Sequence, residues 1–421
     1  MPASEQGGIT RRAAVVMFLV FAAGYFLSSL LRAVIATLAP TLTTEFALNA
    51  GQLGLLAGGY FLGFAVFQIP LGVWLDRYGP RRVLAGFLVL AVLSSVAFAV
   101  AEGFAALLVA RVLGGVGVCG CLMAALTAYR RWLPAELQQR ANSWMLMTGA
   151  FGLLAATLPV QWLLPLYGWR IVFVLMGVAF LLVIAAVWLR VPEVPRGAAG
   201  GPTPVPEPAG TGLWAAYRPV LTSRYFLRMA PVGLINYGAL TAIQTLWAGP
   251  WMTQVTGNTP LEAASGLFAI NLTMLVVFWG WGAINPQLAR RGVATDRLLM
   301  AGLPLGPLLL LGIAWLGGAA GWAHWCVFFA LSSFLSLMLP AIGMAFPMQI
   351  AGRALSAFNL TLFLGTFIWQ WMIGLGIDAL LDAGVARADA LRLMMALVAV
   401  CELLAYGWFA LRRDARGLAV T

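Results

Sequence analysis

Long apolar runs recur along the whole chain, and they limit its possible folds more than any other feature. Of its 421 residues, 62% are hydrophobic and only 9% are charged. A helix needs roughly 20 apolar residues to cross a bilayer, whereas a soluble domain carries about 25% charged residues. We therefore predict an all-α membrane protein with twelve transmembrane helices. The predicted spans 1 to 12 cover residues 13–39, 51–75, 82–101, 104–128, 142–166, 169–190, 226–252, 263–285, 297–317, 322–346, 354–377 and 390–411.

A segment rich in proline and glycine, at residues 191–222, separates spans 6 and 7. Such a composition does not pack a core and is typical of a solvated linker. It divides the spans into two six-helix bundles, at residues 13–190 and 223–411. Short tails at residues 1–12 and 412–421 complete the predicted organisation.

The basic residues are distributed asymmetrically across the predicted membrane. All 25 are arginines, and the formal net charge is +11. Most of them fall on one side, three fall on the other side and two lie inside spans. This asymmetry follows the positive-inside rule, so we expect the arginine-rich side and both termini to be cytoplasmic. The charge is thus explained by topology in a bacterial inner membrane and lipid contact, and we expect no nucleic-acid partner.

The loop between spans 2 and 3 carries a specific pattern, G-V-W-L-D-R-Y-G-P-R-R. Its informative residues are Gly72, Asp76, Arg77, Gly79, Arg81 and Arg82. Span 4 adds a second pattern, formed by Arg111, Gly115 and Gly117. Both patterns resemble signatures of the major facilitator superfamily, and the resemblance extends over all twelve spans. A degenerate copy of the loop, at residues Gly282 to Gly292 between spans 8 and 9, is typical of transporters built from parallel repeats.

The resemblance implies that the loop between spans 2 and 3 is a latch between the two bundles. Gly72 would allow close helix approach, and Asp76 would cap the N-terminus of span 11, which begins after Arg353. The loop arginines would add ion pairs at the same place. Plain positive-inside arginines are the alternative for Arg81 and Arg82, but this alternative does not explain the acid.

Arg32 and Arg111 lie deep inside predicted spans, the former seven residues before the end of span 1 and the latter about seven residues into span 4. Charged residues at such positions are costly and mark functional sites by default. Neither has a carboxylate nearby in sequence, so we predict a positively charged pocket. The pattern of Tyr25, Arg32 and Pro40 resembles span 1 of organophosphate/phosphate antiporters and sialin-like anion porters, which implies that this arginine contacts an anionic substrate. The alternative for both arginines is a structural role.

Polar residues at helical spacing are predicted to complete the pocket. They are Tyr25 and Ser29 in span 1, Asn236, Gln244 and Trp247 in span 7, Asn271 in span 8, and Asn359 and Gln370 in span 11. We expect the three residues of span 7 to share one face of the helix. Each residue could instead form a hydrogen bond between helices, worth about 0.6 kcal/mol on average.

Glu402 is a further ionisable residue, placed in span 12. One interpretation is a protonation site, and the other is a buried neutral or paired structural carboxyl group. The spans that would line the cavity otherwise lack acids. Uniport, exchange, or symport with the anion's own proton therefore fits better than a carboxylate proton shuttle.

The predicted function is alternating-access transport of a small organic solute, expected to be an anion, by a monomer without cofactor or metal. We expect a transporter and not an enzyme, and no nucleotide-binding loop of the G-x-x-x-x-G-K-[ST] type occurs. Proton-coupled efflux of drugs or metabolites is the first alternative. Span 5 lacks the antiporter pattern G-P-x-x-G-G, and its Gly149 and Gly152 suit helix packing instead.

Two further alternatives remain open. Copper import would use soft ligands such as Cys119 with Met123, and Met344 with Met348. Methionine in an apolar chain is, however, a common core filler. A transport-dead receptor or sensor built on the same fold is the alternative outside transport.

Overall fold

The structure is a computed structural model that describes residues 10–193 and 213–412. Helices are the only regular secondary structure in these residues, which confirms the predicted all-α membrane fold. Eleven helices are long and apolar enough to cross a membrane, and one bent pair brings the spans to 12. In chain order they are α1 (Arg11–Glu45), α2 (Ala50–Val66 with Gln68–Leu75), α3 (Arg77–Ala99), α4 (Phe104–Trp132), α5 (Arg140–Tyr167), α6 (Arg170–Arg190), α7 (Arg224–Gln254), α8 (Pro260–Ile284), α9 (Thr295–Ala319), α10 (Trp322–Ala345), α11 (Ile350–Asp382) and α12 (Arg387–Leu411).

The helices pack as two bundles of six, as predicted. In the first bundle α1 contacts α5 and α6, while α4 packs against α2 and α3. In the second bundle α7 contacts α11 and α12, while α10 packs against α8 and α9. The main pairs between the bundles are α2 with α11, α1 with α7, and α5 with α8. These six helices therefore form the surface at which one bundle can move against the other.

The two bundles touch at the end where α1 terminates, which we call the arginine-poor end; the opposite end is the arginine-rich end. A Cβ on Gly54 of α2 would lie 2.2 Å from the carbonyl oxygen of Gln370 in α11. A Cβ on Gly374 of α11 would lie 2.2 Å from the carbonyl oxygen of Ala50. Small residues allow such backbone contact between membrane helices. The interface between α2 and α11 is therefore closed at the arginine-poor end.

Helix α2 bends by 42° where its two segments meet at Phe67. Pro70 follows, and it lacks the N–H that would bond the carbonyl oxygen of Val66. The hydrogen-bond ladder is therefore interrupted, and a kink near proline is the usual result. The segment beyond the bend, Gln68–Leu75, leads to the arginine-rich end.

Two predicted boundaries were wrong. Helix α1 continues to Glu45, past the predicted end of span 1 at residue 39. The helix that starts at Pro260 is continuous to Arg290, so most of the predicted loop before Gly292 is helical. Hydropathy marks only the stretch that suits hydrocarbon, whereas a helix can continue into the headgroup region with its own hydrogen bonds intact.

The predicted linker is partly helical. Residues 194–212 lie outside those that the structure describes, but Leu213–Leu221 form a short helix. The hydroxyl groups of Tyr217 in this helix and Ser356 in α11 are 3.1 Å apart, within hydrogen-bond distance. The end of the linker thus packs on the second bundle and is not wholly solvated.

Gly115 of α4 tests the close packing inside the first bundle. A Cβ there would lie 2.0 Å from the carbonyl oxygen of Tyr60, a backbone atom that has little freedom to move. Gly115→Ala should lower the free energy of unfolding by about 1–3 kcal/mol, the range for overpacked cores. Gly312→Ala in α9 is the control, because a Cβ at that position meets nothing within 4 Å. Equal melting temperatures of the two purified variants would contradict this packing.

Candidate functional site

Arg32 of α1 lies where the two bundles meet. Its Nη2 donates to the hydroxyl of Ser29 at 3.1 Å, and its Nε is buried without a hydrogen-bond partner among the described residues. The guanidinium also interacts electrostatically with three tyrosines from α1, α2 and α7, namely Tyr25, Tyr60 and Tyr237. We name Arg32, Ser29 and these tyrosines the Arg32 pocket. The predicted face of α1 is thus brought together, and the second bundle contributes to it.

Arg111 of α4 is held differently. It is only 1% exposed, and its two Nη atoms donate to the backbone carbonyl oxygens of Leu31 and Arg32. Its guanidinium carbon also lies 5.0 Å from the ring centroid of Tyr60, a cation–π contact. Arg111 therefore clamps α4 to α1, which matches the structural alternative for this residue more closely than direct substrate contact.

Neither Arg32 nor Arg111 has a carboxylate partner among the described residues, whose ion pairs join other side chains. Burying an unpaired charge within a membrane span is expensive. Arg111 offsets part of that cost with two carbonyl oxygens, whereas the partners of Arg32 are the neutral hydroxyl groups of Ser29 and Tyr25. The Arg32 pocket therefore carries positive charge whose chemical complement is an anion.

Helix α5 fixes the position of Tyr25. A Cβ on Gly149 would lie 2.4 Å from a ring carbon of Tyr25, and one on Gly152 would lie 2.3 Å from the carbonyl oxygen of Phe26. Only glycine at these two positions leaves room for α1 at this distance. The prediction that Gly149 and Gly152 serve helix packing is confirmed.

The sequence did not point to Tyr60 or Tyr237. Tyr60 is fully buried in α2, and its hydroxyl donates to the carbonyl oxygen of Ser28 at 3.3 Å. Tyr237 of α7 is half-buried and adjoins Asn236, a predicted site residue. The ring of a tyrosine is apolar and only its hydroxyl is polar. Within an apolar run, the hydroxyl is therefore the single sequence signal that could have indicated a site residue.

The prediction that three residues of span 7 share one face was wrong. Asn236 donates to the carbonyl oxygen of Glu402 in α12 at 3.2 Å, so it faces away from the Arg32 pocket. Gln244 donates to Oδ1 of Asn271 in α8 at 3.1 Å, and Trp247 donates to a carbonyl oxygen of α11 at 3.2 Å. Helix α7 contains two π-helical turns, Gly233–Tyr237 and Ile243–Trp247. Each wider turn shifts the helical register, which the spacing of an ordinary α-helix does not anticipate.

The predicted residues of span 11 lie between helices. Gln370 donates to Oγ1 of Thr245 at 2.8 Å, and its Oε1 is buried without a partner among the described residues. Asn359 donates to Oε1 of Gln68 at 3.0 Å, which links α11 to α2 across the bundles. Each of these two amides thus has an interhelical partner in this structure.

Glu402 is separated from the pocket by α7. It is 2% exposed, and its Oε2 is buried without a hydrogen-bond partner in the described part of the chain. Its backbone oxygen accepts the bond from Asn236. Glu402 therefore faces the inside of the second bundle, at the helix pair α7–α12, and not the surface between the bundles.

A comparison with known families decides the class of the chain. Residues 21–370 match the family model of the Major Facilitator Superfamily. The chain belongs to the major facilitator superfamily. The predicted family is confirmed, and with it the expectation of a multi-pass membrane transporter and not an enzyme.

Two relatives in the superfamily match part of the chain. The niacin transporter of Acinetobacter baylyi is 29% identical over 170 residues, which is 40% of this chain and 38% of that protein. The hexuronate transporter of Bacillus subtilis is 33% identical over 191 residues, which is 43% of each protein. The matched segments therefore span about two-fifths of the length of these relatives.

A solved structure resembles the whole fold. It is a bacterial homologue of the human lysosomal transporter Spinster, in an inward-facing and unoccupied conformation. The sequences are 20% identical, the TM-score is 0.78, and the match covers 97% of this chain and 98% of that one. At this identity the likeness establishes the fold of the superfamily and nothing more specific.

The superfamily loop between α2 and α3 turns at the arginine-rich end. Gly79 has φ 79°, a left-handed backbone conformation that glycine adopts without strain. The side chain of Asp76 lies outside what the structure describes, so its cap on α11 stays a prediction. A Cβ on Gly72 would meet no described atom within 4 Å. The close approach predicted at Gly72 is therefore absent here, where α2 and α11 close at the other end.

The arginines of the loop bind within the first bundle. Arg81 and Arg82 both pair with Glu193 just beyond α6, the former at 3.9 Å. Arg81 also donates to the carbonyl oxygen of Trp188 at 2.6 Å, while Arg77 is exposed. In this arrangement Arg81 and Arg82 do not make the predicted ion pairs with the second bundle, because an acid of their own bundle is closer.

Arg111 and Arg32 should respond differently to neutralisation. Arg111→Gln removes two bonds to backbone carbonyl oxygens and the contact with Tyr60, so its melting temperature should fall by several degrees. Arg32→Gln removes a charge whose partners are neutral hydroxyl groups, and a charged group kept for function usually lowers stability. Its melting temperature without ligand should stay equal to the wild-type value or rise. A similar fall in both variants would assign both arginines a structural role.

Proposed function

We propose that the protein carries a small organic monoanion across the bacterial inner membrane by alternating access, as a monomer. Both termini and the arginine-rich end would face the cytoplasm, in accord with the positive-inside rule. The single observation that carries this proposal is the Arg32 pocket. The guanidinium of Arg32 lies at the surface between the two bundles, and no carboxylate among the described residues pairs with it.

The hydrogen-bonding capacity of the pocket favours one carboxylate over a more highly charged group. A guanidinium presents a planar fork that matches a single carboxylate. Arg111 already donates to two backbone oxygens with its Nη atoms, whereas Arg32 has only neutral hydroxyl partners among the described residues and is the better placed to bind a carboxylate. The hydroxyl groups of Tyr25 and Tyr237 would add neutral hydrogen bonds. The relatives named for niacin and hexuronate are consistent with this chemistry, because both compounds carry a carboxyl group.

Access to the pocket would come from the cytoplasm in this arrangement. The bundles are in backbone contact at the arginine-poor end, through Gly54 and Gly374. Release of the anion to the periplasm would require α2 and α11 to separate there while their opposite ends approach. Rocking of one bundle against the other around a central site is the usual way for such folds to do this.

The other predicted contacts form an outer set in this proposal. Trp247 and Gln370 lie against Gly54 of α2 at the surface between the bundles, whereas Gln244 and Asn271 join α7 to α8 within the second bundle. We propose that a larger substrate would contact these side chains only after the bundles move. Glu402 and Asn236 lie on the other side of α7. We therefore expect uniport, exchange, or symport with the anion's own proton, without a carboxylate proton relay in the pocket.

A comparison of anionic ligands with an uncharged counterpart tests the proposal. Purified protein should be stabilised against heat by nicotinate, benzoate or glucuronate, and not by the uncharged counterpart nicotinamide. Arg32→Gln should weaken binding of every stabilising anion by about 10- to 100-fold, the loss of about 1.5–3 kcal/mol for a hydrogen bond to a charged group. Arg32→Lys, which keeps the charge, should retain part of the affinity.

Equilibrium binding of a labelled anion to the wild-type and variant proteins measures this loss of affinity. Unchanged affinity in Arg32→Gln would show that the Arg32 pocket does not bind the substrate. Stabilisation by lipophilic cations in place of anions would instead favour the efflux alternative.

The loop of Gly72, Asp76, Arg77, Gly79, Arg81 and Arg82 has a separate proposed role as the cytoplasmic latch. When the cytoplasmic end closes, Asp76 would cap the N-terminus of α11, a dipole interaction worth under about 2 kcal/mol. Asp76→Asn should therefore reduce transport into liposomes while ligand binding is retained. Unaltered transport would count against the latch.

A further inference from the structure

The first turn of α2 takes its hydrogen-bond acceptors from both bundles. Asn49 and Gln52 form a capping box, in which each backbone N–H donates to the other's side-chain oxygen, at 3.1 and 2.7 Å. The N–H groups of Ala50 and Gly51 lie between them and have no acceptor within their own helix. They donate to Oδ1 and Oδ2 of Asp378 at 2.9 and 2.7 Å. One carboxylate from the second bundle thus completes the cap of a helix in the first.

The geometry of this contact is specific. Asp378 lies in the last turns of α11, at the arginine-poor end, and is half-buried. Its charge meets the positive end of the α2 dipole, and both of its oxygens accept charge-assisted bonds. A Cβ on Gly51 would lie 2.9 Å from Oδ2, so glycine leaves room for the carboxylate. The ordinary surface alternative, an exposed acid facing water, does not describe this residue.

We propose that Asp378 is the periplasmic gate residue of the transport cycle. This inference rests on the alternating access proposed above and concerns no substrate contact. In the cytoplasm-open arrangement Asp378 holds the N-terminus of α2 and keeps the periplasmic end shut. When that end opens, the two N–H groups and the carboxylate separate and are hydrated instead, so the contact biases the equilibrium without blocking it.

Helices α2 and α11 are antiparallel, so a similar cap can form at the opposite end of the pair. The predicted cytoplasmic latch places Asp76, at the end of α2, against the N-terminus of α11. Asp378, near the end of α11, binds the N-terminus of α2. Each helix would thus offer a carboxylate to the start of the other, at opposite faces of the membrane. Rocking that engages one cap would release the other, which is the behaviour of a two-state switch.

A hydrogen bond between α2 and α11, located between the two capped helix ends, could act as a pivot. Gln68 and Asn359 share a hydrogen bond of 3.0 Å across the same helix pair. This bond lies next to the bend at Phe67, where the ladder of α2 is already interrupted. A change of angle at this point would separate one pair of helix ends and bring the other pair together.

Distances between spin labels test the gate without any substrate. The four native cysteines would be replaced, and labels placed at Val100→Cys after α3 and Ala383→Cys after α11, both exposed at the arginine-poor end. Asp378→Asn should raise the ratio of the longer, periplasm-open distance to the shorter one by about tenfold. Asp382→Asn is the matched control, since it neutralises an exposed acid one turn further along the same helix. It should leave the distances unchanged.

A second variant removes one of the N–H donors of α2 and leaves the acceptor, Asp378, in place. Ala50→Pro deletes one of the two N–H groups at the first helical position, where proline is well tolerated. Asn49 already has the extended backbone that a following proline requires, with ψ 172°. This variant should therefore fold and should shift the distances in the same direction as Asp378→Asn.

The outcomes separate the gate from the substrate assignment. Wild-type distance distributions in both Asp378→Asn and Ala50→Pro would overturn the gate, and so would an equal shift in Asp382→Asn. If Asp378→Asn fails to fold, Ala50→Pro alone decides. Because the protein is measured without ligand, a shift supports the gate even where every anion fails to bind.

Discussion

The bond between Arg111 and the backbone of α1 is the interaction on which the centre of the structure depends. It places α4 against α1 next to Arg32, and each Nη atom of Arg111 donates to a backbone carbonyl oxygen of α1. The neighbouring guanidinium is thereby left with positive surroundings and few acceptors. In the proposed function, an anion would neutralise this charge when it binds. The guanidinium of Arg111 also lies 5.0 Å from the ring centroid of Tyr60, which ties α2 to the site.

The α2–α11 pair connects this site to movement. Glycines bring the two backbones together at one end, and a single amide pair joins them near the bend of α2. Close packing resists gradual deformation, so a helix pair of this kind favours two discrete arrangements. Caps at opposite ends of the pair would select between them. Binding at the Arg32 pocket and opening at the helix ends then act through the same helices.

Much of this could be predicted from the sequence. Apolar runs and arginine asymmetry gave twelve spans and two bundles, because burial in lipid leaves few other ways to satisfy the backbone. The spacing of Tyr25, Ser29 and Arg32 placed them correctly on one helical face. Asn236 was misplaced because π-helical turns rotate α7, and local spacing does not reveal them. Tyr60 and Tyr237 were missed because tyrosines are common in apolar spans.

The sequence by itself determined the superfamily, the bundles and the residue on which anion binding is proposed to depend, since these follow from hydropathy, local motifs and the cost of a charge in a membrane. The tertiary structure alone decided which arginine donates to backbone carbonyl oxygens and which has only hydroxyl partners, because that depends on acceptors supplied by another helix. It also revealed Asp378, an ordinary acid in the sequence. Its proposed role depends on the packing of α11 beside the first turn of α2, where Asp378 accepts two backbone N–H bonds from residues far away along the chain.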